Sequence, residues 1–280
     1  MDVRNVEPIW RQWNLIYNFG QRDLKTKFKG SALGWLWSLL VPLATLAIYS
    51  VVFAIIFRAE TPLMGNGQKG LFVIWLFCGL ANWTFFSATI NGGINALLGT
   101  GNLLQKVYFP AYAPVLGSAL AAGVQWGIEL GILVIIMLIM ANVGWTWLLV
   151  PVWAAIFIIF STSIAVAVSI LNIYYRDLAH LVAIALQLLF YMTPIIYPIA
   201  MVPAAWKPGF FPASWPALDL QTILSINPLT QFVELFRSLL YGLNPGDWKM
   251  WLGVSIWTIL ALAWAWFVSR SRGQDLGENV

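Results

Sequence analysis

Charge is scarce in this sequence. Of its 280 residues only 9% are Asp, Glu, Lys or Arg, where a soluble domain carries roughly 25%. A surface built from so few charges cannot hold a 31.3 kDa globule in water. That excludes a soluble enzyme, a nucleic-acid-binding module and a disordered chain. Cysteine is nearly absent. Cys78 stands alone inside an apolar run, which excludes a disulfide framework and a CxxC metal pair. The one histidine, His180, cannot build a histidine-rich metal site, so no metal is expected. The first 29 residues carry nine charges and no short apolar core before a small-residue cleavage site, so no signal peptide is expected there.

What is abundant is hydrophobicity: 60% of residues are apolar, and the mean hydropathy is +0.79. The gaps between charges outline six expected spans, at about 33–57, 71–96, 110–140, 146–172, 179–200 and 250–269. Only Ala141-Asn142-Val143-Gly144-Trp145 breaks the long run between the third and fourth. The runs are continuous rather than alternating, so helices are expected and not barrel strands. The fold class is therefore an all-α integral membrane protein. An interface segment, 1–30, precedes a transmembrane domain, 31–280. With the N-terminus in the cytoplasm, inside segments hold ten Lys and Arg. Outside segments hold five: Arg58, Lys69, Lys207, Arg237 and Lys249. That asymmetry places both termini inside.

The pieces between spans carry their own patterns. Ile9, Trp10, Trp13, Ile16, Tyr17 and Leu24 recur at helical spacing, which describes a helix lying in the headgroup plane. The basic run from Arg22 to Lys29 then meets anionic headgroups, or serves as a plain topology signal. Seven of 14 prolines fall at 198, 203, 208, 212, 216, 228 and 245. Among them, Leu220 to Ile226 and Pro228 to Leu243 are apolar but too short to span. Asn227 is a candidate N-cap, Pro228 a first helical residue, Gly242 a stop, and Glu234 with Arg237 a helical pair. These two helices (about 220–243) form a re-entrant outer gate or rest flat on the outer leaflet.

Glu129 is the one carboxylate clearly within a span, and Gln125 shares its face. Such a group is a functional candidate or a hydrogen-bonded brace, and no cationic partner is visible for a proton relay. Ala119, Gly123, Gly127 and Gly131 make a small-residue ridge for close helix contact. Aromatics reach 15%. Trp145, Trp147, Trp248 and Trp251 fit interface belts. Tyr49, Phe53, Trp83, Trp153 and Tyr191 sit away from span ends, as core, lipid-facing filler or a ladder for the apolar faces of sugar rings.

Several runs carry a family resemblance. Lys25-Thr26-Lys27-Phe28-Lys29-Gly30-Ser31-Ala32-Leu33-Gly34-Trp35-Leu36-Trp37 resembles the start of type-2 ABC exporter permeases, best of all those exporting lipid-linked O-antigen, teichoic acid or galactan. Asn102-Leu103-Leu104-Gln105-Lys106-Val107-Tyr108-Phe109-Pro110 is similar to their first coupling loop, and Asn172-Ile173-Tyr174-Tyr175-Arg176-Asp177 to their second inside loop. Thr193-Pro194-Ile195-Ile196-Tyr197-Pro198 and Ile226-Asn227-Pro228-Leu229 resemble the fifth span and outer gate. Met201 to Asp219 departs from the pattern, being richer in Pro and Trp.

The resemblance implies a half-transporter in the bacterial inner membrane, paired as a two-fold homodimer with two copies of an ATPase subunit. No GxxxxGK[ST] occurs in this sequence, so ATP and magnesium are expected in the partner and no cofactor here. Residues 102–109 would dock on the ATPase, with Arg176 and Asp177 beside them. Arg22, Lys25, Lys27 and Lys29 would receive the diphosphate of a lipid-linked glycan. Trp35, Trp37, Tyr49, Phe53, Tyr191 and Tyr197 would line the channel, and Asn227, Pro228, Phe232 and Phe236 the outer gate. Three other readings stand beside this one: an exporter of a small lipid or drug, a membrane glycosyl- or acyltransferase using Asp177 and His180, and a scaffold or receptor without transport.

Overall fold

Nine α-helices and no strand make up the described part of the computed structural model, which covers residues 12–27, 29–57, 62–101, 109–203 and 219–272. They are α1 (Trp13–Lys27), α2 (Trp37–Tyr49), α3 (Phe72–Leu98), α4 (Tyr112–Ile139), α5 (Val150–Tyr174), α6 (Leu178–Met192), α7 (Leu220–Ile226), α8 (Pro228–Leu240) and α9 (Trp248–Arg272). A tight turn of helix, Gly34–Leu36, leads into α2, which widens into a π-helical stretch over Ser50–Ile56.

Among the described residues, five helical stretches are long and apolar enough to cross a membrane: Gly34–Phe53, Phe72–Leu98, Tyr112–Ile139, Trp145–Tyr174 and Trp248–Arg272. They match five of the six expected spans within a few residues. The other, 179–200, is shorter than expected. Helix α6 runs 15 residues and stops at Met192, below the roughly 20 residues a crossing needs. Thr193 turns extended (φ −100°, ψ 130°) because Pro194 follows it.

Helix α3 is the hub, packed by α4, α5 and α8, with α9 against α5. Lipid is as apolar as leucine, so burying these side chains yields little hydrophobic gain; close packing and ring geometry carry the cohesion. Trp153 stacks on Phe157 at 5.2 Å and meets Phe236 at 4.6 Å, while Phe160 meets Phe232 at 4.9 Å. Each such pair contributes about 0.5–1.5 kcal/mol beyond area burial. Trp153 Nε1 also donates to the Phe232 carbonyl at 3.2 Å. Phe232 and Phe236, two of the expected outer-gate residues, are thus fully buried in the helical core. The cause is α8's strong sidedness, which turns both rings toward α5.

The break at 141–145 is a turn, with Ala141 at positive φ (51°). Asn142 is buried and clamps it: its Nδ2 donates to the carbonyls of Leu240 and Tyr241 at 3.1 and 2.9 Å, and its Oδ1 accepts from the Asn66 N–H at 3.1 Å.

Candidate functional site

Helix α1 runs alongside the first half of α4. Tyr112 hydroxyl donates to Gln12 at 3.1 Å, Phe19 meets Phe109 at 5.6 Å, and Lys27 Nζ donates to Gln125 at 3.4 Å. Gly20 lies against Gly117 and Lys27 against Gln125, an order that makes the two helices parallel. A Cβ on Gly117 would come 2.5 Å from the Phe19 Cβ and 2.9 Å from the Gly20 nitrogen, so glycine permits the close approach. The face α1 buries is Ile16, Phe19 and Gly20, while Trp13 and Tyr17 stay half exposed. The expected stripe of Trp13, Ile16, Tyr17 and Leu24 is therefore split between protein and surroundings, and Ile9 and Trp10 lie outside the described residues.

Gln125 ties three elements together. Pro42 has no N–H, so the Ser38 carbonyl one turn earlier loses its helical partner. Gln125 Nε2 donates to that carbonyl at 3.0 Å and to Glu129 Oε1 at 3.4 Å. Sequence reading found no cation for Glu129; the fold brings Lys27 into its field, joined through Gln125. The rest of the basic run is open. Lys25 and Lys29 are exposed, while Arg22 pairs with Asp23 at 3.1 Å and lies over Phe19 at 5.1 Å.

Of the expected ATPase-docking segment, Asn102, Leu103, Leu104, Gln105, Lys106, Val107 and Tyr108 lie outside the described residues. Phe109 is buried against Phe19. Arg176 and Asp177 are exposed in the turn between α5 and α6, and the Asp177 side chain does not cap α6. No hydrogen bond or ion pair joins Asp177 to His180 among the described residues.

The expected channel aromatics fall into separate groups. Trp35 and Trp37 are exposed, with Trp37 Nε1 donating to Ser31 at 3.1 Å. Tyr49 meets Phe53 at 5.9 Å, and Phe53 meets Phe72 at 5.1 Å. Tyr197 hydroxyl donates to the Tyr191 carbonyl at 2.9 Å. Trp83 meets Phe190 at 5.4 Å, along an open groove of about 420 Å³ between α3 and α6.

At the other end, Asn227 caps α8 as its sequence suggests: Oδ1 accepts from the Leu229 N–H at 3.0 Å, with Pro228 at the first turn. Its Nδ2 donates to Thr193 Oγ1 at 3.1 Å. Glu234 and Arg237 pair at 2.8 Å, as their spacing implies. Sequence reading counted Arg237 as an outer-loop charge and missed its burial. It donates to the carbonyls of Trp75 (3.2 Å), Pro194 (2.6 Å) and Ile195 (2.8 Å). Its only sequence signal was the Glu234 partner on an otherwise apolar helix. Asp219 caps α7, and bonds from the Thr222 hydroxyl and N–H hold its carboxyl below the usual aspartate range.

These arrangements suit a membrane-embedded bundle of helices, and comparison with known proteins fits that. The chain is 27% identical over 281 residues to the O-antigen export system permease protein RfbA of Myxococcus xanthus, covering 99% of this chain and all of that one. A Klebsiella pneumoniae protein of the same name is 26% identical over 242 residues, 85% of each chain. The family model described as ABC-2 type transporter matches residues 14–241. With that match spanning most of its helices, the chain belongs to the ABC-2 type transporter family.

Proposed function

We propose that this chain is the membrane permease subunit of a bacterial exporter that carries a lipid-linked glycan of the O-antigen type across the inner membrane. Its likeness to O-antigen export permeases along almost its whole length carries the reading. Two copies would pair around a two-fold axis, each crossing six times with both termini inside, and two ATPase subunits would supply the work.

In this scheme the ATPase pushes residues 102–109, and the displacement passes through Phe109 to Phe19 and along α1. Lys25, Lys27 and Lys29 meet the diphosphate of the lipid-linked glycan, where ammonium donors suit phosphate oxygens. Aromatic rings on α2 and α6 offer weak stacking sites along the passage. The α7–α8 pair and the segment after Met192 form the exit, which yields once Asn227 and Arg237 exchange their partners.

The test is genetic and chemical. Cells lacking this chain should lose their surface polymer while accumulating lipid-linked glycan inside, and the full chain expressed with its ATPase should restore export. Restored movement of a small lipid alone, with no surface polymer, would replace this reading with the small-lipid one.

A further inference from the structure

The seam between α3 and α5 has two unlike halves. Toward their N-termini, large rings interlock across it. Phe85 meets Phe157 at 5.7 Å, and Phe86 stacks on Phe160 at 5.9 Å. Toward their C-termini the rings stop. Helix α3 has no aromatic residue after Phe86, and α5 has none from Ser161 to Ile173. Gly93 sits where a side chain would otherwise fill the seam. A Cβ on it would come 2.9 Å from the Ser169 hydroxyl and 2.8 Å from Val115 Cγ1. The order of contacts, Phe86 with Phe160 and then Gly93 with Ser169, makes the two helices parallel.

The ring-free half also shuts polar groups away unmet. Thr89 lies one turn before Gly93 on α3, and Asn172 three residues after Ser169 on α5, so each shares its neighbour's face. Thr89, Ser169 and Asn172 are at most 1% exposed. Among the described residues nothing bonds the Thr89 hydroxyl, the Ser169 hydroxyl or the Asn172 Oδ1. Other hydroxyls on the same two helices find a carbonyl one turn back: Thr84 donates to Leu80 at 2.9 Å and Ser163 to Ile159 at 2.6 Å. Burying a polar group unpaired is costly, so these three weaken the closed packing around them.

We propose that the C-terminal half of the α3–α5 seam is a joint that parts when the ATPase acts, while the ring-locked half stays shut as its pivot. Parting gives up only the light contacts around Gly93, and it lets water reach Thr89, Ser169 and Asn172. The gain in hydrogen bonding offsets the packing lost, so the closed and parted arrangements lie close in energy. A packed interface with two such arrangements switches between them rather than deforming by degrees. Helix α3 leads on toward residues 102–109, and the inference rests on the reading above that the ATPase pushes there.

The test uses the full chain purified with its ATPase partner in lipid nanodiscs, without nucleotide and with ATP plus vanadate. The reagent is a charged, membrane-impermeant methanethiosulfonate, which needs a thiolate in contact with water. Ser169→Cys on a Cys78→Ala background should react at least about tenfold faster with the nucleotide than without it. The wild-type chain is the control, since Cys78 is a buried free thiol on the ring-locked half of α3. It should stay unreactive in both states. Equal rates for Ser169→Cys in the two states would overturn the joint, and so would a matching rise at Cys78. A second variant, Thr89→Val with Ser169→Ala and Asn172→Leu, removes the unmet groups. Its thermal midpoint should rise, yet surface polymer should fall at least about tenfold at equal membrane level. A lowered midpoint would mean that the groups are met at rest, and normal export that parting is not needed; either would overturn the proposal beside an exporting wild type. A wild type that exports no polymer and gains nothing from its ATPase would sink the function proposed above and the joint with it.

Discussion

The guanidinium carbon of Arg237 lies 3.4 Å from the centre of the Trp75 ring, and its nitrogens reach three backbone carbonyls and Glu234. One side chain of α8 thereby holds α3 and the Pro194–Ile195 segment. Gly79 makes room for it, since a Cβ there would come 2.7 Å from Nη2.

Replacing Arg237 with Gln should be strongly destabilising. It strands three buried carbonyls, each unmet group costing about 1–3 kcal/mol, and leaves the partly exposed Glu234 carboxylate without its partner. Arg237→Lys should rescue only part, because an ammonium cannot spread over the ring and reach all four acceptors. Thermal unfolding of the detergent-purified chain ranks the three proteins. Equal midpoints would refute the pinning role.

Gln125→Leu should loosen α1 and α2 from α4 together. The Ser38 carbonyl would lose the donor that stands in for the missing Pro42 N–H, at about 1–3 kcal/mol. Hydrogen exchange should rise at both α1 and the start of α2. A rise confined to α1 would contradict the shared brace.

Gly117→Val should pry α1 off α4, since even a Cβ meets Phe19 and Gly20 inside contact distance. Gly127→Ala is the control, because a Cβ there meets nothing within 4 Å. Trypsin should cut faster after Lys25 in the first variant only.

Replacing Lys106, Tyr108 and Phe109 together with Ala should uncouple the motor. ATP hydrolysis by the complex should continue while export falls at least about tenfold, the chain staying inserted, because the docking contacts proposed for 102–109 would be removed. Export at the wild-type rate would remove 102–109 as the coupling segment.

The Asp219 cap on α7 gives a pH dependence of known sign. Its folded pKa is depressed below the ordinary 3.8 by the Thr222 bonds, so its support is full above that value. It is lost as pH falls through the lower folded value. Exchange at the Thr222 amide should quicken in that acid range, and Asp219→Asn should flatten the response. A slope appearing near neutrality would point to another group.

How much of this was legible beforehand varies by element. The long spans were, because 20 or more uncharged residues leave the backbone no structure but helix. The Asn227-Pro228 cap and the Glu234–Arg237 pair were too, being local. The end of α6 was readable only in part: Pro194 signals a stop, yet the apolar run continues to Ala200. Lys27 beside Glu129, Gly117 against Gly20 and Arg237 over Trp75 were not legible. Each joins residues from different helices, and a hydropathy pattern carries no information about which helices meet. The burial of Phe232 and Phe236 against α5 was not legible for the same reason, since an apolar ring looks alike whether it faces a passage or a neighbouring helix.

Helix α6 ends early, and the segment beyond it is held by Arg237 at the Pro194 and Ile195 carbonyls, by Asn227 at Thr193, and by a short turn of its own at Ile199–Met201. A continuous helix resists displacement because each turn must break several bonds at once. A short non-helical segment pinned by a few side-chain bonds is freed by breaking those few alone, so the contacts that fix it are also the ones any displacement must break.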